Sequence, residues 1–398
     1  MNLPVISVIM ATYNHAKFVS QAIHSVLNQS GVAFEFIISD DGSTDNTREV
    51  VSSIKDERIH FFPNEVNRGA GIVTNELIKH ASGEFIALIN SDDYWVNSNK
   101  LAYQLQIMRD NPDIAACFGR ARFVDENSCS IEKASLPFGY IFDQENRSQG
   151  KWLRYFFDQG NCICHPTMLI RKSCYDELGM YSNRLRQLPD FDMWIRLIKR
   201  YPIYISEHEL INFRILPGGN ASSQSGLNSS RTINEHYLIS DNFFNGVRLD
   251  DFIDGFSDVM QNKNISNQIC LDIEIALLYF IYNQSLCKPY QLLGLQKMNH
   301  LLTSSTHHEV LVKAYDIDDL WFQNTMGNVD VLISRIIPAV SPPKPRSLRA
   351  CQWLHFQCTR RLLQIDNTLR DCKKIVKQLI VKNFCLIKRR TTRIFRRQ

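Results

Sequence analysis

The amino-acid sequence predicts an α/β protein with a doubly wound, mostly parallel sheet, followed by a helical region and a basic amphipathic tail. Through the first hundred residues, short apolar runs alternate with stretches whose apolar residues recur every three or four positions. Small polar or acidic clusters follow three of those runs. Beyond residue 340 the composition turns strongly basic.

Residues 5–10 (Val-Ile-Ser-Val-Ile-Met) form a nearly continuous apolar run rich in β-branched side chains, as expected of a strand buried on both faces. Phe18, Ala22, Ile23, Val26 and Leu27 follow at helical spacing. A second strand is expected over 34–39, then a helix over 45–54 with Ser43 or Thr44 as its cap. Residues 58–63 read as a third strand, 69–81 as a third helix and 85–89 as a fourth strand. This order of alternating strands and helices implies parallel pairing with helices on both faces. The pattern from 101 to 219 is mixed, and 232–337 reads as mainly helical with no chemistry attached to it.

With 398 residues, two or three structural units are expected. A hydrophobic content of 44% and a charged content of 22% are those of an ordinary globular chain. No stretch of 18 apolar residues occurs; the apolar run at 275–282 is flanked by Asp272 and Glu274 and reads as a buried helix. The first residues lack a basic segment and a long apolar core, so no secretory signal is expected. Eleven cysteines without framework spacing suggest reduced thiols in a cytoplasmic protein, and Cys162-x-Cys164 lacks the second pair that a zinc site needs.

Ligands of open parallel sheets bind beyond the carboxyl ends of the strands. Thr12-Tyr13-Asn14 follows the first strand, Asp40-Asp41-Gly42-Ser43-Thr44-Asp45 the second, and Asn90-Ser91-Asp92-Asp93 the fourth. The fold thus collects several acids on one rim, where a divalent cation with a diphosphate would relieve their repulsion. Hard oxygen ligands suit Mg²⁺ or Mn²⁺, which take one or two carboxylates plus phosphate oxygens. No Gly-x-Gly-x-x-Gly turn and no Gly-x-x-x-x-Gly-Lys-Ser/Thr loop is present, which disfavours a nicotinamide cofactor and a P-loop nucleotidase. The aspartate pair Asp40-Asp41 offers an acceptor for the N3–H of a uracil, and Tyr13 a ring to stack on the base. Far downstream, Pro189 suits the start of a helix whose buried face carries Trp194, Leu197 and Ile198. Asp190 then sits in the first turn, where the helix dipole favours its ionised form and it can take a proton from an acceptor hydroxyl.

Residues 5–14, Asp40-Asp41-Gly42-Ser43-Thr44-Asp45, Asn67-Arg68-Gly69, Asn90-Ser91-Asp92-Asp93 and Asp190-Phe191-Asp192-Met193-Trp194 together resemble the ordered motifs of family 2 glycosyltransferases with the GT-A fold. The resemblance runs from about residue 4 to about 220. It implies an inverting transferase using a nucleoside-diphosphate sugar, UDP-linked by expectation, of the kind that builds bacterial surface polysaccharides on glycan or lipid-linked glycan acceptors. It places Thr12, Tyr13, Asn14, Asp40, Asp41, Arg68, Asn90 and Ser91 around the donor, Asp92 and Asp93 at the metal and diphosphate, and Asp190 as catalytic base. The corresponding division is a GT-A domain over 1–222, with a nucleotide-sugar half at 1–105 and an acceptor half at 106–222, then a helical region at 223–340 and a tail at 341–398. Two departures stand out. Asn90 replaces an expected aspartate, and Leu216 stands where relatives carry a histidine two residues after an arginine, here Arg214. Both imply a weaker metal site. Gly218-Gly219-Asn220-Ala221-Ser222 otherwise fits the family's closing loop.

From 341 to 398 there are 16 Lys/Arg and 2 Asp/Glu, a net of +14, which leaves the rest of the chain at −10. Pro-rich residues 341–345 read as a stiff linker. Leu362, Ile365, Leu369, Cys372, Val376 and Leu379 form an apolar stripe with basic residues around it, the pattern of a helix lying on an anionic membrane. A peripheral location on the inner face of the cell membrane follows as an expectation, and nucleic acid is not an expected partner. Two other classes compete with the enzyme: a nucleotidyltransferase, which needs a Gly-rich, basic first loop that Thr12-Tyr13-Asn14-His15 is not, and a non-catalytic scaffold with a decayed site, which the retained Asp92, Asp93 and Asp190 argue against.

Overall fold

The computed structural model describes residues 4–216, 225–281 and 288–329. All of them belong to the first of the two units into which the chain divides, Met1–Val331 and Leu332–Gln398. The expected closing loop at 218–222, the linker at 341–345 and the amphipathic stripe at 362–379 lie outside the described residues.

The first elements follow in the expected alternation: β1 (Ile6–Thr12), α1 (Val19–Leu27), β2 (Phe34–Asp40), α2 (Thr47–Ser53), β3 (Ile59–Pro63), α3 (Ala70–His80) and β4 (Phe85–Leu88). Next come β5 (Tyr94–Trp95), α4 (Lys100–Asp110), β6 (Ala116–Val124), β7 (Ser130–Ile131), α5 (Gln149–Gln159), β8 (Leu169–Arg171), α6 (Ser173–Leu178), α7 (Pro189–Ile198) and β9 (Ile203–Arg214). The remainder is helical: α8 (Gly226–Asp241), α9 (Leu249–Phe256), α10 (Gln268–Ile281), α11 (Lys288–Thr303), α12 (Ser305–Tyr315) and α13 (Asp319–Met326). Among the described residues no helix is long and apolar enough to cross a membrane.

The described strands form one sheet in the order β3-β2-β1-β4-β8-β6-β9-β5, with β7 paired to β6. The β3-β2-β1-β4 half is parallel throughout. The other half is mixed: β8 runs antiparallel to both β4 and β6, β9 parallel to β6, and β5 antiparallel to β9.

The apolar runs are continuous because both faces of the parallel half are covered. Ile9, Ile37, Ile86 and Leu88 face one core with α3, α5 and α7. Ile6, Val8, Met10, Phe36, Ile38 and Ala87 face the other with α1 and α4. The first core continues through Phe243, Phe252, Leu278 and Leu293, so α8 to α11 share an interior with the α/β layer. A smaller cluster built on Ile273, Met298, Leu311 and Tyr315 holds α10 to α12 together.

Two local expectations are corrected. Helix α2 begins at Thr47, and neither Ser43 nor Thr44 caps it. Both of those side chains turn toward the β1 loop and Asp40 instead, and the Asp45 carboxylate accepts the Thr47 N–H at 3.0 Å. The helical region begins earlier than the apolar pattern suggested, at Gly226, because the Ser225 hydroxyl accepts the Asn228 N–H at 3.1 Å and caps α8.

Candidate active site

In-register pairing places Thr12, the last residue of β1, opposite Asp40, the last of β2. The two following loops are then tied together. The Asn14 N–H donates to Ser43 Oγ at 2.9 Å, and Asn14 Oδ1 accepts the Thr44 N–H at 2.8 Å. Asn14 itself adopts φ 54°, a left-handed conformation that asparagine tolerates. Gly42, at φ +73°, packs so closely on the Val66–Asn67 backbone that a Cβ would lie 2.7 Å from the Val66 carbonyl carbon. That close approach brings 66–69 over the aspartate pair, and Asp41 accepts the Arg68 and Gly69 N–H groups, each at 2.8 Å. Asp40 is fully buried; its carboxylate takes the Ser43 N–H at 3.1 Å, the Ser43 hydroxyl, and Arg48 Nε at 3.4 Å. The Arg68 guanidinium pairs with Glu76. Tyr13 is 41% exposed beside these groups. The buried Thr12 hydroxyl finds no hydrogen-bond partner among the described residues.

The loop after β4 joins the same rim. His15 Nδ1 and Ser91 Oγ lie 2.7 Å apart, linking the β1 loop to the acidic turn. Within that turn the two aspartates differ. Asp93 is buried, accepts the Arg214 N–H at 2.7 Å and accepts from Asn90 Nδ2 at 2.9 Å. Burial, reinforced by the charge of Asp92, pushes the Asp93 carboxyl well above the usual carboxylate range. Arg214 is the anchor behind the turn: its Nε donates to the Asp92 carbonyl at 2.8 Å, its Nη1 to the Asp125 carbonyl at 2.8 Å and its Nη2 to Gln21 Oε1 at 2.7 Å. Among the described residues no three His, Cys, Asp or Glu side chains gather to hold an ion without help. One or two carboxylates completed by diphosphate oxygens are the donor set that Mg²⁺ or Mn²⁺ commonly accepts, so the turn fits a cation arriving with a diphosphate.

Helix α7 carries the remaining candidate acids. Pro189 opens it, as expected, and Asp190 and Asp192 occupy its first turn. Asp192 is committed to Arg196 one turn on, at 3.0 Å. Asp190 is half-buried, accepts Asn161 Nδ2 at 2.8 Å and the Phe191 N–H at 2.8 Å. The buried Cys164 registers both acids: burial raises its thiol pKa well above the ordinary value, and the charges of Asp93 and Asp190 push the same way. Asp93 and Asp190, 97 positions apart in the chain, therefore both lie near Cys164. His165 lies 2.9 Å from the Tyr181 hydroxyl, which lies 3.0 Å from that of Tyr175. Burial lowers the His165 pKa, with Asp190's charge opposing, so His165 sits in the structural hydrogen-bonded role.

Asn161, Arg48, His15 and Glu235 were not singled out by sequence reasoning. Arg48 and His15 act on motif residues from positions that carry no motif. Glu235 leaves a trace: it is an acid four residues before Ile239 on the buried side of α8, where a charge needs a partner.

Comparison with known proteins agrees with this architecture. The family model for Glycosyl transferase family 2 matches residues 7–179. An uncharacterized glycosyltransferase of Methanocaldococcus jannaschii is 32% identical over 255 residues, covering 62% of this chain and 84% of that protein. The UDP-Glc:alpha-D-GlcNAc-diphosphoundecaprenol beta-1,3-glucosyltransferase WfgD of Escherichia coli is 40% identical over 123 residues, 31% of this chain and 48% of that protein. Among solved structures, S. aureus TarS 1-349 in complex with UDP superposes with a TM-score of 0.50 at 16% identity, covering 84% of this chain and 94% of that one.

Proposed function

The chain belongs to glycosyltransferase family 2, and from that premise we propose that it transfers a sugar from a UDP-linked donor to a hydroxyl of a lipid-linked glycan, with inversion at the anomeric carbon. The observation that carries the reading is that the buried Cys164 feels the charges of both Asp93, in the turn after β4, and Asp190, at the start of α7. The Asp190 carboxylate accepts from Asn161 and from the Phe191 N–H, and among the described residues no cationic side chain donates to it. Asp190 accepts the acceptor hydroxyl's proton; the oxygen bonds to the anomeric carbon as the bond to the diphosphate oxygen breaks, and UDP leaves with that electron pair. On the donor side Tyr13 stacks on the base. Asp41, which accepts two N–H groups where Asp40 accepts three donors, keeps more lone-pair capacity for a uracil N3–H. Asn90 and the unpartnered Thr12 hydroxyl would offer hydrogen bonds to ribose and phosphate oxygens, and Arg68 would exchange Glu76 for the diphosphate. Asp92, with Asp93 behind it, would hold Mn²⁺ or Mg²⁺; when bound, the cation supplies positive charge opposite the departing diphosphate.

UDP as nucleotide is supported by the E. coli relative's UDP-Glc donor, and a lipid-linked acceptor by its diphosphoundecaprenol acceptor. The test is a panel of UDP-, GDP- and dTDP-sugars with lipid-linked glycan acceptors and Mn²⁺, read by mass spectrometry. Transfer from a UDP-sugar is expected; transfer confined to another nucleotide, or none from any donor, overturns the proposal. A peripheral membrane site through 341–398 completes it, since each basic residue near an anionic surface contributes about 1 kcal/mol. Full-length protein should float with anionic vesicles at low salt and detach as salt rises, while a chain ending near residue 340 should not float. Equal flotation of both removes the tail as the anchor.

A further inference from the structure

The helical region carries no motif, yet one of its side chains reaches the segment that delivers Asp190. Glu235, on α8, is 4% exposed. Its Oε1 accepts the Arg186 N–H at 2.8 Å, and its Oε2 accepts the N–H groups of Gln187 at 2.8 Å and Leu188 at 2.9 Å. Leu188 is the N-cap residue of α7, Pro189 its first residue and Asp190 its second. Three successive N–H groups turned toward one carboxylate form an anion-binding nest, filled here by a side chain from 47 to 49 positions further along the chain. Proline contributes no N–H, so the last amides before Asp190 that can be anchored are the ones Glu235 takes. The upstream end of the same segment is held by α3: Asn75 donates to the Tyr181 carbonyl at 2.8 Å and accepts the Tyr181 N–H at 3.1 Å.

We propose that Glu235 is a positioning residue for catalysis, fixing the 186–188 turn so that Asp190 meets the acceptor hydroxyl, and that the α8 region is for this reason part of the catalytic unit. The inference rests on Asp190 being the base. A buried carboxylate that accepts three N–H groups cannot be replaced by an amide without loss, because the glutamine nitrogen would face N–H donors with donors of its own. Misplacement of a reacting group by about 1 Å costs up to about 10²-fold in rate. The proposed donor contacts follow strands β1 to β4, share no hydrogen bond with Glu235 among the described residues, and should be untouched.

The experiment is a double-mutant cycle on the full-length enzyme with the donor and acceptor that the sugar panel establishes. Glu235→Gln should lower kcat by roughly ten- to a hundred-fold with the donor KM unchanged. In an Asp190→Asn background the same substitution should cost almost nothing further, because its effect passes through the Asp190 carboxylate. Glu235→Asp, which keeps the charge but withdraws it by one methylene, should recover part of the loss and serves if the glutamine variant fails to fold. Hydrogen exchange gives an activity-free readout: the amides of 186–188 should lose protection in both Glu235 variants while those of β1 and β4 keep theirs. Asp190→Asn crippled, with Glu235→Gln at full kcat or with losses that multiply in the double variant, overturns the role of Glu235 and leaves the base assignment standing. Near-normal kcat in Asp190→Asn overturns the base assignment itself.

Discussion

The acids at the ends of β2 and β4 and the acid at the start of α7 are held by opposite means. Asp40 is clamped by Ser43 and Arg48, three and eight residues on, and Asp93 by Asn90, three residues back, with the Arg68 and Gly69 N–H groups on Asp41 and the Arg214 N–H on Asp93 as the distant exceptions. Asp190 takes Asn161 from 29 residues upstream, and its supporting turn takes Glu235 from 47 or more residues downstream. The clamps on Asp40 and the Asn90 clamp on Asp93 are written into short stretches of sequence and can be read there. The hold on the turn before Asp190 is written into the packing of a helical region that looks chemically silent. What a motif supplies is a turn with its own side chains as scaffold; what the fold supplies is a distant carboxylate brought to three amides.

The largest effect expected falls on the rim, and it separates its two neighbouring acids. Asp92→Ala should abolish divalent-dependent donor turnover while the protein keeps its cooperative melt. Asp93→Ala should lose activity and also stability, by about 1–3 kcal/mol, because the buried Arg214 N–H and Asn90 amide are left without their acceptor. Turnover assays in EDTA and thermal melts of both variants check this. Full activity in EDTA, or in the double variant, breaks the metal assignment; equal melts for the two would erase the division of labour between them.

On α7, Asp190→Asn keeps the shape and loses the proton acceptor, and should lower kcat by roughly 10²–10⁴-fold with donor affinity little changed. Asp192→Asn should retain most activity, since its carboxylate serves an i,i+4 pair with Arg196 of the kind that contributes about 0.3–0.5 kcal/mol. Steady-state kinetics with product NMR decide the matter. The reverse ranking would mean the other first-turn carboxylate is the base, and a product with retained anomeric configuration would sink the single displacement.

The same contrast explains what could be read from the chain. Strands β1, β2 and β4 announce themselves because alternate side chains enter two cores and leave no polar face to interrupt the run. Strands β5, β7 and β8 are two or three residues long and exist because longer neighbours pair with them, so no local pattern marks them. Strand β9 runs for twelve residues, but its exposed Glu207 and His208 and the register shifts of β6 around Arg120 break the alternation a reader would look for. In the site, Asp40, Asp41, Asp92, Asp93 and Asp190 were legible because each lies in a motif at an element's end. Asn161 and Glu235 were not, because their importance comes only from where α5, α7 and α8 pack.

Lys100 tests the boundary between these two kinds of information, and its effect on turnover should be the smallest. It lies just past the acidic turn, at the start of α4, in no motif. The fold buries it at 1% exposure. Its Nζ lies 4.2 Å from the Trp95 ring centroid and has no hydrogen-bond partner among the described residues. Burial lowers its pKa from 10.5 to about 7, with Cys117 and Cys164 opposing. Between those two values the unfolded chain holds a proton that the folded protein has released, so the unfolded state binds more protons and stability rises with pH through that window. Below about 7 both states are protonated and the cost of the buried charge is constant; above 10.5 both are neutral and the cost is gone. Lys100→Met, which fills a similar volume without the charge, should therefore melt higher than the wild type near neutral pH. That advantage should shrink steadily as the pH is raised, because the wild type gains what the variant never lacked. Melting curves from pH 6 to 10, an interval of about 4 units that spans most of the window, give the result directly. A parallel pair of curves would show that Lys100 keeps an ordinary solvated titration, and that its position is set locally after all.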